Sequence, residues 1–600
     1  MNKTATFRPI IPLIFWCFVQ SLIKRGLFLS IPMLILIGWL LVVLTGCQTL
    51  PKQPHLTASP LVKKEQNLAN SPTKLPFNSQ SLVKKISNTH PNNPQLSGYY
   101  PIITSRDALA SRSLLTSYAQ HSIDIQYYIW NNDEVGQLMM KELYDVAKRG
   151  VKVRLLLDDL NTDSQLDQQL LAFSAHPNVS VRLINPKIIR SMRPINFVLG
   201  VPRYHRRMHN KSMTFDQQLS IIGGRNIGNE YLRSDTSNEF SDLDVLLAGQ
   251  VVERISDNFD SYWQSDASYD IEILVFPYDM INKTNQIPQD QTAEQRFLAS
   301  LDKIYQPKRA KSWLTSAQFY QLPNLNSQNN SYNQLAERTI KQPVGIDKLL
   351  TKGTLPLRWK KIDFFADKVT KLAKKDDKSS RLVAQLRKAI GTPSEKLTII
   401  SSYFVPTNKG VAELNQLVKN GVKVTVLTNS FDSTDVPTVH AGYSGVRLPM
   451  LRAGVRLYEL KSSADADLRI KKPSLRRNEI STSLHTKAFA VDERLVFIGS
   501  YNVDPRSANI NTELGVLIYD DELAKGIHAV FDDELLNVAY RLGFTVDNQL
   551  VWQTLDKDGV ITSQTGQPDT VITKSNEPRL SMANRLWVRV FSLLPIQWLL

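Results

Sequence analysis

The feature that most constrains the fold of this chain is an internal repeat. Three segments return in the same order later in the chain: RGVKVRL at 149–155 as NGVKVTV at 420–426, VRL at 181–183 and again at 455–457, and HNKSMTFD at 209–216 as HTKAFAVD at 485–492. The offsets are 271, 274 and 276 residues, nearly constant across three separate matches. Such spacing indicates a duplication, so we predict two homologous halves.

Each half carries the same order of predicted strands and helices. Short runs rich in β-branched and aromatic residues, typical of buried strands, cover 122–130 and 396–404. Helical patterns follow at 136–148 and 410–419, and further apolar strands at 151–157 and 422–427. Strands that alternate with helices favour an α/β fold in which each half is a mixed sheet flanked by helices.

Each half also carries one spaced motif of polar residues. The first is His209-x-Lys211-x4-Asp216-x6-Gly223-x2-Asn226, and the second is His485-x-Lys487-x4-Asp492-x6-Gly499-x2-Asn502. Because side chains alternate along a strand, the histidine and lysine project to one side, and the aspartate lies at the strand end. The apolar run that follows predicts a return strand that brings the glycine and asparagine back beside the histidine. The missing glycine side chain permits that close approach.

Two such motifs facing one cavity supply two imidazoles, two ammonium groups and two amides. This set suits a phosphodiester, whose oxygens are bound by the lysines and asparagines: Lys211, Lys487, Asn226 and Asn502. One histidine attacks phosphorus, while the other protonates the leaving alcohol and then deprotonates the incoming one. We expect neither a metal ion nor a cofactor, because the cationic side chains stabilise the charge at phosphorus.

The doubled HxKx4D motif with its downstream GxxN resembles the phospholipase D superfamily over most of residues 98–540. The resemblance implies a covalent phosphohistidine and a two-step exchange, with the two halves packed face to face around one active site. By analogy His209 is the nucleophile and His485 the general acid and base, although the reverse assignment remains open. Asp216 and Asp492 are grouped with the catalytic residues, in a supporting position rather than in contact with phosphorus.

Members of the superfamily also place an acid downstream of each motif to orient its histidine. Glu513, in NTELGVLI, lies 28 residues beyond His485 and fits this role. In the first half the matching strand is SDLDVLLA, which puts Asp242 in the corresponding place and leaves Asp244 as the alternative.

Within the superfamily the chain resembles bacterial enzymes of the cardiolipin synthase C type. The resemblance rests on DIQYYIW at 124–130, RGVKVRLLLDD at 149–159, HNKSMTFD with GGRNIGNEY, and the terminus LLPIQWLL. It implies phosphatidyl transfer to phosphatidylglycerol, with phosphatidylethanolamine as donor, a small accessory protein as partner and activity as a monomer. A hydrolytic phospholipase D and a nuclease are the alternatives. A degenerate scaffold is a third alternative, and the two intact motifs oppose it.

The chain divides into six predicted segments. They are a leader or membrane anchor (1–47), a flexible basic tether (48–97), the first half (98–275), a polar helical insertion (276–377), the second half (378–545) and a tail with an apolar segment (546–600). The tail's apolar stretch with interspersed arginines fits either an interfacial segment or a final helix docked on the core.

The first segment predicts attachment to a membrane. An apolar run precedes Leu44-Thr45-Gly46-Cys47, which resembles a bacterial lipobox in which Cys47 is lipidated; a plain anchor helix is the alternative. Both interpretations put the body on the periplasmic side, and Gln48 is typical of lipoproteins sent to the outer membrane. Only Cys17 and Cys47 occur, so the body has no disulfide.

The positive charge favours an anionic partner. The formal net charge is +16, and basic clusters precede both histidines: Lys187, Arg190, Arg193, Arg203, Arg206 and Arg207, then Arg469, Lys471, Lys472, Arg476 and Arg477. We interpret the clusters as lining the cavity entrance and gathering anionic lipid headgroups. Such charge also suits nucleic acid. The leader and the apolar tail favour phospholipids of an anionic membrane surface and no nucleic acid.

Overall fold

The computed structural model describes most of the two predicted halves. The described residues are 81–187, 190, 204–233, 238–275, 297, 345–373, 376–462, 481–533, 535–555, 571–575 and 577–578. The chain divides into two units, Met1–Lys52 and Gln53–Leu600, and all described residues belong to the second. The leader, Cys47, residues 48–80 of the tether, the second basic cluster and the apolar C-terminal stretch lie outside the described residues.

The first half begins before the sheet, with a short helix. Its helices are α1 (Ser81–Ile86), α2 (Ser105–Tyr118), α3 (Glu134–Lys148), α4 (Ser164–Ser174), α5 (Asn229–Leu232) and α6 (Gln250–Trp263). Its strands are β1 (Ser97–Ile102), β2 (Ser122–Tyr127), β3 (Lys152–Asp158), β4 (Val179–Ile184), β5 (Ser212–Phe215), β6 (Leu219–Gly223), β7 (Asn238–Ser241), β8 (Asp244–Gly249) and β9 (Ser268–Asp270).

The connecting segment is followed by a second half in which strands and helices alternate as in the first. The helices are α7 (Ile346–Lys352), α8 (Leu382–Ile390), α9 (Asn408–Lys419), α10 (Pro437–Arg452), α11 (Pro505–Asn509) and α12 (Asp521–Asp533). The strands are β10 (Arg358–Lys360), β11 (Ile362–Ala366), β12 (Lys396–Ser401), β13 (Lys423–Asn429), β14 (Arg456–Leu460), β15 (Ser481–Leu484), β16 (Lys487–Val491), β17 (Leu495–Gly499), β18 (Leu514–Tyr519), β19 (Ala539–Phe544), β20 (Leu550–Leu555) and β21 (Val571–Lys574).

The sheet order confirms the duplication and the mixed α/β class. The first sheet runs β10-β1-β8-β6-β5-β2-β3-β4-β9, and the second runs β11-β18-β17-β16-β12-β13-β14-β19-β20-β21. In both, three parallel strands (β2-β3-β4 and β12-β13-β14) continue into antiparallel strands that carry the motif. The predicted return strands are β6 and β17, each antiparallel to the strand before it.

One apolar core joins the two halves. A single cluster of buried side chains draws on both sheets: Ile222, Val245 and Leu247 from the first, and Val496, Ile498 and Val516 from the second. Since burying one aliphatic side chain contributes about 1.5–3 kcal/mol, this shared core holds the sheets face to face.

The structure moves the boundary of the first half toward the N-terminus. Residues 81–97 fall in the predicted tether, yet α1 is packed, with Leu82, Val83 and Ile86 buried. The polar composition around α1 hides a helix of only 6 residues, whose three apolar side chains all face inward.

The predicted insertion and tail also contribute to the sheets. Strands β10 and β11 fall in the segment predicted as a polar helical insertion, but β10 pairs with β1 and β11 pairs with β18. Strands β20 and β21 extend the second sheet beyond the predicted end of that half. Short edge strands gain their order from the neighbouring strand, so composition alone does not reveal them. No helix in the part of the chain that the structure describes is both long and apolar enough to cross a membrane.

The motif aspartates brace the ends of the central strands. Asp216 has a left-handed backbone (φ 50°), and its carboxylate accepts backbone N–H groups of Gln120, His121 and Ser122 at 2.7–3.2 Å. Asp492 (φ 49°) does the same for Ser394, Glu395 and Lys396. Each carboxylate thus accepts the backbone N–H groups of the segment that leads into β2 or β12, which agrees with a supporting position.

We predict that Asp216→Ala destabilises the fold, whereas Asp216→Asn nearly preserves it. Alanine leaves three backbone N–H groups without this acceptor, that of Ser122 in a buried position, which costs about 2–4 kcal/mol of the free energy of unfolding. Asparagine keeps an acceptor and tolerates the left-handed backbone, so its cost stays below about 1 kcal/mol. Urea denaturation measures both values. Loss of activity in Asp216→Ala with unchanged stability contradicts the supporting role.

Candidate active site

Backbone pairing between the two halves builds the site. Strand β7 of the first half pairs in parallel with β15 of the second, which sets Ser241 opposite Leu484. The N–H of His485, the next residue, donates to the carbonyl of Ser241 at 2.8 Å. On the other side Met208 forms a parallel bridge with Thr512, and the N–H of His209 donates to the Thr512 carbonyl at 2.9 Å. Each histidine therefore lies beside the segment that precedes an acid of the other half.

The acid–histidine pairs cross between the halves. Nδ1 of His485 lies 2.6 Å from Oδ2 of Asp242, and Nδ1 of His209 lies 2.8 Å from Oε2 of Glu513. The two predicted acids are therefore the ones in contact, but the assignment of Glu513 to His485, in its own half, is wrong. Crossing follows from the inter-half pairing, because Ser241 and Thr512 directly precede the two acids.

The alternative acid in the first half serves another purpose. Asp244 pairs with Arg112 at 2.9 Å and with Arg225 at 3.5 Å, and all three side chains are buried. Asp242 and Asp244 are only two residues apart, but Asp242 directly follows β7, which pairs with β15, and its side chain reaches His485. Asp244 is the first residue of β8.

The motif lysines are buried beside the histidines. Nζ of Lys211 donates to the carbonyl of His209 at 2.8 Å, and Nζ of Lys487 donates to the carbonyl of His485. Lys487 also donates to Oγ of Ser402 at 2.9 Å. Both lysines are only 1% exposed, so their ammonium groups are fixed rather than freely rotating.

The motif asparagines are tied to the loops after β2 and β12. Oδ1 of Asn226 accepts the N–H of Ile129 at 3.2 Å, and Oδ1 of Asn502 accepts the hydroxyl of Ser402 at 3.0 Å. Because Ser402 also accepts from Lys487, Asn502 belongs to the lysine's network. Binding of phosphate oxygens by these amides stays a prediction.

The glycine positions make room for neighbouring strands and acids. A Cβ at Gly223 or Gly499 would collide with the adjacent strand, at Asp244 and Leu514 respectively, rather than with a histidine. The next residue differs between the halves: a Cβ at Gly224 would collide with the Asp242 carboxylate, whereas the Ser500 hydroxyl donates to Glu513. Sequence reasoning missed both residues of this second pair.

Aromatic rings close around both histidines. The Tyr128 ring lies 4.9 Å from that of His209, centroid to centroid, and the rings of Tyr231 and Phe240 lie 5.3 and 5.2 Å from that of His485. These rings are not related by the repeat: Trp130 and Phe404 form equivalent bridges, so Tyr128 corresponds to Ser402 in the second half. No repeated spacing therefore identifies the rings beside the histidines.

Burial dominates the electrostatics of the site. It lowers the pKa of His209 well below its usual range, helped by the charges of Lys211 and Lys487, and it lowers the pKa of Lys211 to about 7. The pKa of His485 is also lowered, by burial and then by the charge of Lys487. Burying cations without a bound anion is costly, so the site is poised to accept one.

The two acids respond differently to burial. It raises the pKa of Glu513 to about 7, despite the nearby charge of Lys211. Burial acts the same way on Asp242, but the charge and hydrogen bond of His485 lower its pKa overall. Asp242 is therefore the more strongly ionised partner, and the imidazole of His485 holds a proton more readily than that of His209.

The first basic cluster does not line an entrance. Arg190 pairs with Asp159 at 2.6 Å and with Asp167, Lys187 donates to the carbonyl of Thr162 at 2.7 Å, and all are buried. Arg207 pairs with Asp158 at 3.1 Å, and Arg206 donates to the carbonyl of Lys371 at 2.8 Å. For these four residues the predicted headgroup-gathering role is wrong, because all four are buried and donate to acids or backbone carbonyls inside the protein.

Among the described residues, no group of three or more His, Cys, Asp or Glu side chains is arranged to hold a metal ion. Two imidazoles backed by carboxylates and flanked by two ammonium groups define a site for nucleophilic exchange at a phosphodiester.

Comparison with known proteins identifies the family. Residues 114–263 and 386–535 match the family described as "Cardiolipin synthase, PLD-like domain". Cardiolipin synthase C of Escherichia coli K12 is 37% identical over 520 residues, which cover 87% of this chain and 99% of that protein. An uncharacterized protein of Helicobacter pylori is 30% identical over 485 residues, 80% of this chain and 86% of that protein. The chain belongs to the phospholipase D superfamily, in its cardiolipin synthase family.

Among solved structures, phosphatidylserine synthase of Haemophilus influenzae Rd KW20 aligns with a TM-score of 0.44 and 14% identity. The alignment covers 73% of this chain and 88% of that chain.

We predict that the site binds a phosphodiester anion more weakly as pH rises above about 7. Lys211, with a pKa near 7, is a cation below that pH and loses its charge above it. Dibutyl phosphate keeps one negative charge throughout this range, so its dissociation constant reports the protein groups alone. Calorimetry should find the affinity falling by up to about tenfold per pH unit.

Lys211→Arg is the matched variant, because arginine stays charged. Its affinity should vary less with pH than that of the unsubstituted protein. Affinity that is constant across the range in the unsubstituted protein contradicts the role of Lys211.

Proposed function

We propose that the chain is a phosphatidyltransferase that makes cardiolipin from phosphatidylglycerol and a phosphatidyl donor, with phosphatidylethanolamine as the donor. The observation that carries the proposal is the pair of crossed dyads, His209 with Glu513 and His485 with Asp242. A carboxylate at Nδ1 orients each ring and leaves Nε2 for chemistry. The family supplies the lipid class, since the Escherichia coli relative is a cardiolipin synthase.

In the first step Nε2 of His209 attacks phosphorus, and the bond from phosphorus to the headgroup oxygen breaks. His485, protonated at Nε2, gives its proton to that oxygen, so the headgroup leaves as an alcohol rather than as an alkoxide. The lysines Lys211 and Lys487 stabilise the negative charge that builds on the non-bridging oxygens. The product of this step is a phosphatidyl group bound to His209.

In the second step the glycerol hydroxyl of phosphatidylglycerol takes the place of the departed alcohol. His485, now neutral, accepts the hydroxyl proton while the oxygen attacks phosphorus and the bond to His209 breaks. Both histidines return to their starting protonation states. The same intermediate supports hydrolysis when water is the acceptor, so acceptor access separates a synthase from a hydrolase.

The different dyads support His209 as the nucleophile. A nucleophilic imidazole has to be neutral, and the pKa of His209 is lowered well below its usual range by burial and by Lys211. The general acid has to hold a proton, and the ionised Asp242 favours the protonated form of His485. The reverse assignment lacks this electrostatic support.

The setting of the reaction follows from the lipid substrates. We propose a membrane-associated enzyme whose body lies on the periplasmic side, held by a lipidated Cys47 at the outer membrane. Both dyads come from one chain, which supports activity as a monomer. A small accessory protein is the proposed partner, and nucleic acid is not a substrate.

Product analysis tests the reaction. Purified protein in vesicles of labelled phosphatidylglycerol and phosphatidylethanolamine should form cardiolipin and release free ethanolamine in equal amounts. Without phosphatidylethanolamine, cardiolipin formation should fall, and His209→Asn should abolish it. Phosphatidic acid as the main lipid product establishes a hydrolase instead. DNA cleavage without any lipid product establishes a nuclease.

A donor with a good leaving group tests the histidine roles. Phosphatidyl-p-nitrophenol needs no proton at its leaving oxygen, so His485→Asn should still release about one equivalent of nitrophenol in a burst and then stall as the phosphohistidine. His209→Asn should give no burst. A burst only in His209→Asn reverses the assignment, and no burst in either variant excludes the covalent intermediate.

A further inference from the structure

The two halves differ in the loop beside His485. This loop, residues 430–436, connects β13 to α10. Its start is held by the Asn429 side chain, which accepts the N–H of Leu484 and donates to the Leu484 carbonyl, both at 2.9 Å. Since Leu484 directly precedes His485, the loop keeps a defined position relative to the general acid. Asp432 fixes it further by accepting from Ser430 and Ser462, both at 2.6 Å.

The loop presents one exposed carboxylate, Asp435. Oδ2 of Asp435 accepts the hydroxyl of Tyr403 at 2.7 Å, and Tyr403 follows Ser402, which contacts Lys487. Burial lowers the pKa values of His485 and Lys487, and the negative charge of Asp435 opposes that fall. The charge of Asp435 thus acts on both groups, and its hydrogen bond to Tyr403 links it to the loop that contacts Lys487.

Asp435 has no structural task in the helix that follows it. The N-terminus of α10 receives no side-chain cap. In the first half, the shorter loop between β3 and α4 uses its acids for structure: Asp163 caps α4 by accepting the N–H of Leu166 at 2.7 Å, and Asp159 pairs with Arg190. Of the exposed acids in these two loops, Asp163 therefore caps a helix, whereas Asp435 accepts the hydroxyl of Tyr403 in the half that carries His485.

Aromatic rings complete the surroundings of His485. Tyr231 and Phe240 stack on each other at 4.8 Å, and both rings lie within 5.3 Å of the imidazole, centroid to centroid. A carboxylate forms charge-assisted hydrogen bonds with an ammonium group, and aromatic faces attract the same cation. The combination suits a primary ammonium on a short alcohol.

We propose that Asp435, together with Tyr403, Tyr231 and Phe240, forms the subsite for the leaving headgroup, and that Asp435 selects donors whose headgroup carries an ammonium. This inference rests on the proposed function, in which His485 protonates the leaving oxygen. The subsite lies on that side, so the ammonium of a departing amino alcohol meets the Asp435 carboxylate while its oxygen takes the proton from His485. The ammonium keeps its charge throughout.

A matched pair of donors tests the proposal. Phosphatidylethanolamine and phosphatidylethylene glycol differ only in a terminal ammonium or hydroxyl of similar size. Initial rates of headgroup release in neutral mixed micelles give kcat/KM for each donor. Asp435→Asn preserves an acceptor for Tyr403 but removes the charge. Asp547→Asn makes the same change in the exposed turn between β19 and β20 and is the control.

The unsubstituted protein should prefer the ammonium donor, and Asp435→Asn should reduce that preference by about tenfold, through loss of one charge-assisted hydrogen bond. Asp547→Asn should leave it unchanged. If Asp435→Asn slows both donors equally, with a shifted pH profile, Asp435 acts only through the charge of His485 and the proposal is overturned. An unchanged preference also overturns it.

The proposed function fails in a different way. If the unsubstituted protein releases neither headgroup, the proposed phosphatidyl transfer is rejected, and the proposed subsite is rejected with it. If both headgroups are released and only the preference ratio stays constant in Asp435→Asn, the transfer stands and the subsite alone is rejected.

Discussion

The active site depends on backbone pairing between strands of different halves. Parallel pairing of β7 with β15 and the bridge from Met208 to Thr512 set each histidine beside an acid from the other half. A single half therefore has an imidazole, a lysine and an acid, but not the acid that orients its own histidine. The apolar core shared by the two sheets provides the energy that keeps these pairs together. The active site is therefore complete only when the two halves are packed together.

Burial then gives the assembled residues their chemical character. Two ammonium groups and two imidazoles lie in one enclosed region, and burial lowers the pKa of each of them. Concentrating cations away from water is unfavourable until an anion arrives, which makes the site selective for a phosphate group. The unequal acids break the symmetry of the duplication: Asp242 stays ionised, whereas Glu513 titrates near neutrality. Two equivalent motifs thereby acquire two different roles.

Much of the fold was predictable because local signals agree with the repeat. Helices α3 and α9 and strands β3 and β13 lie where periodicity placed them, give or take two residues. The predictions erred where neighbours decide the outcome. Strand β10 (RWK) is short and polar, β11 (IDFFA) has only five residues, and both are ordered by pairing with β1 and β18. Helix α1 buries only three side chains. Arg190 and Arg207 resembled an exposed basic run, but Asp159 and Asp158, distant along the chain, pair with them inside the protein.

The amino-acid sequence by itself determined the duplication, the doubled motif and the acid Glu513, since each is a matter of residue identity and spacing; for the other acid it left Asp242 and Asp244 as alternatives. Only the tertiary structure decided which acid serves which histidine, because both Asp242 and Glu513 have the same local position in their halves and the choice depends on how the sheets face each other. It also held the start of the loop that carries Asp435 against Leu484, the residue before His485, through the hydrogen bonds between Asn429 and Leu484. Contacts between residues so far apart in the chain produce no regular spacing in the sequence from which they could be predicted.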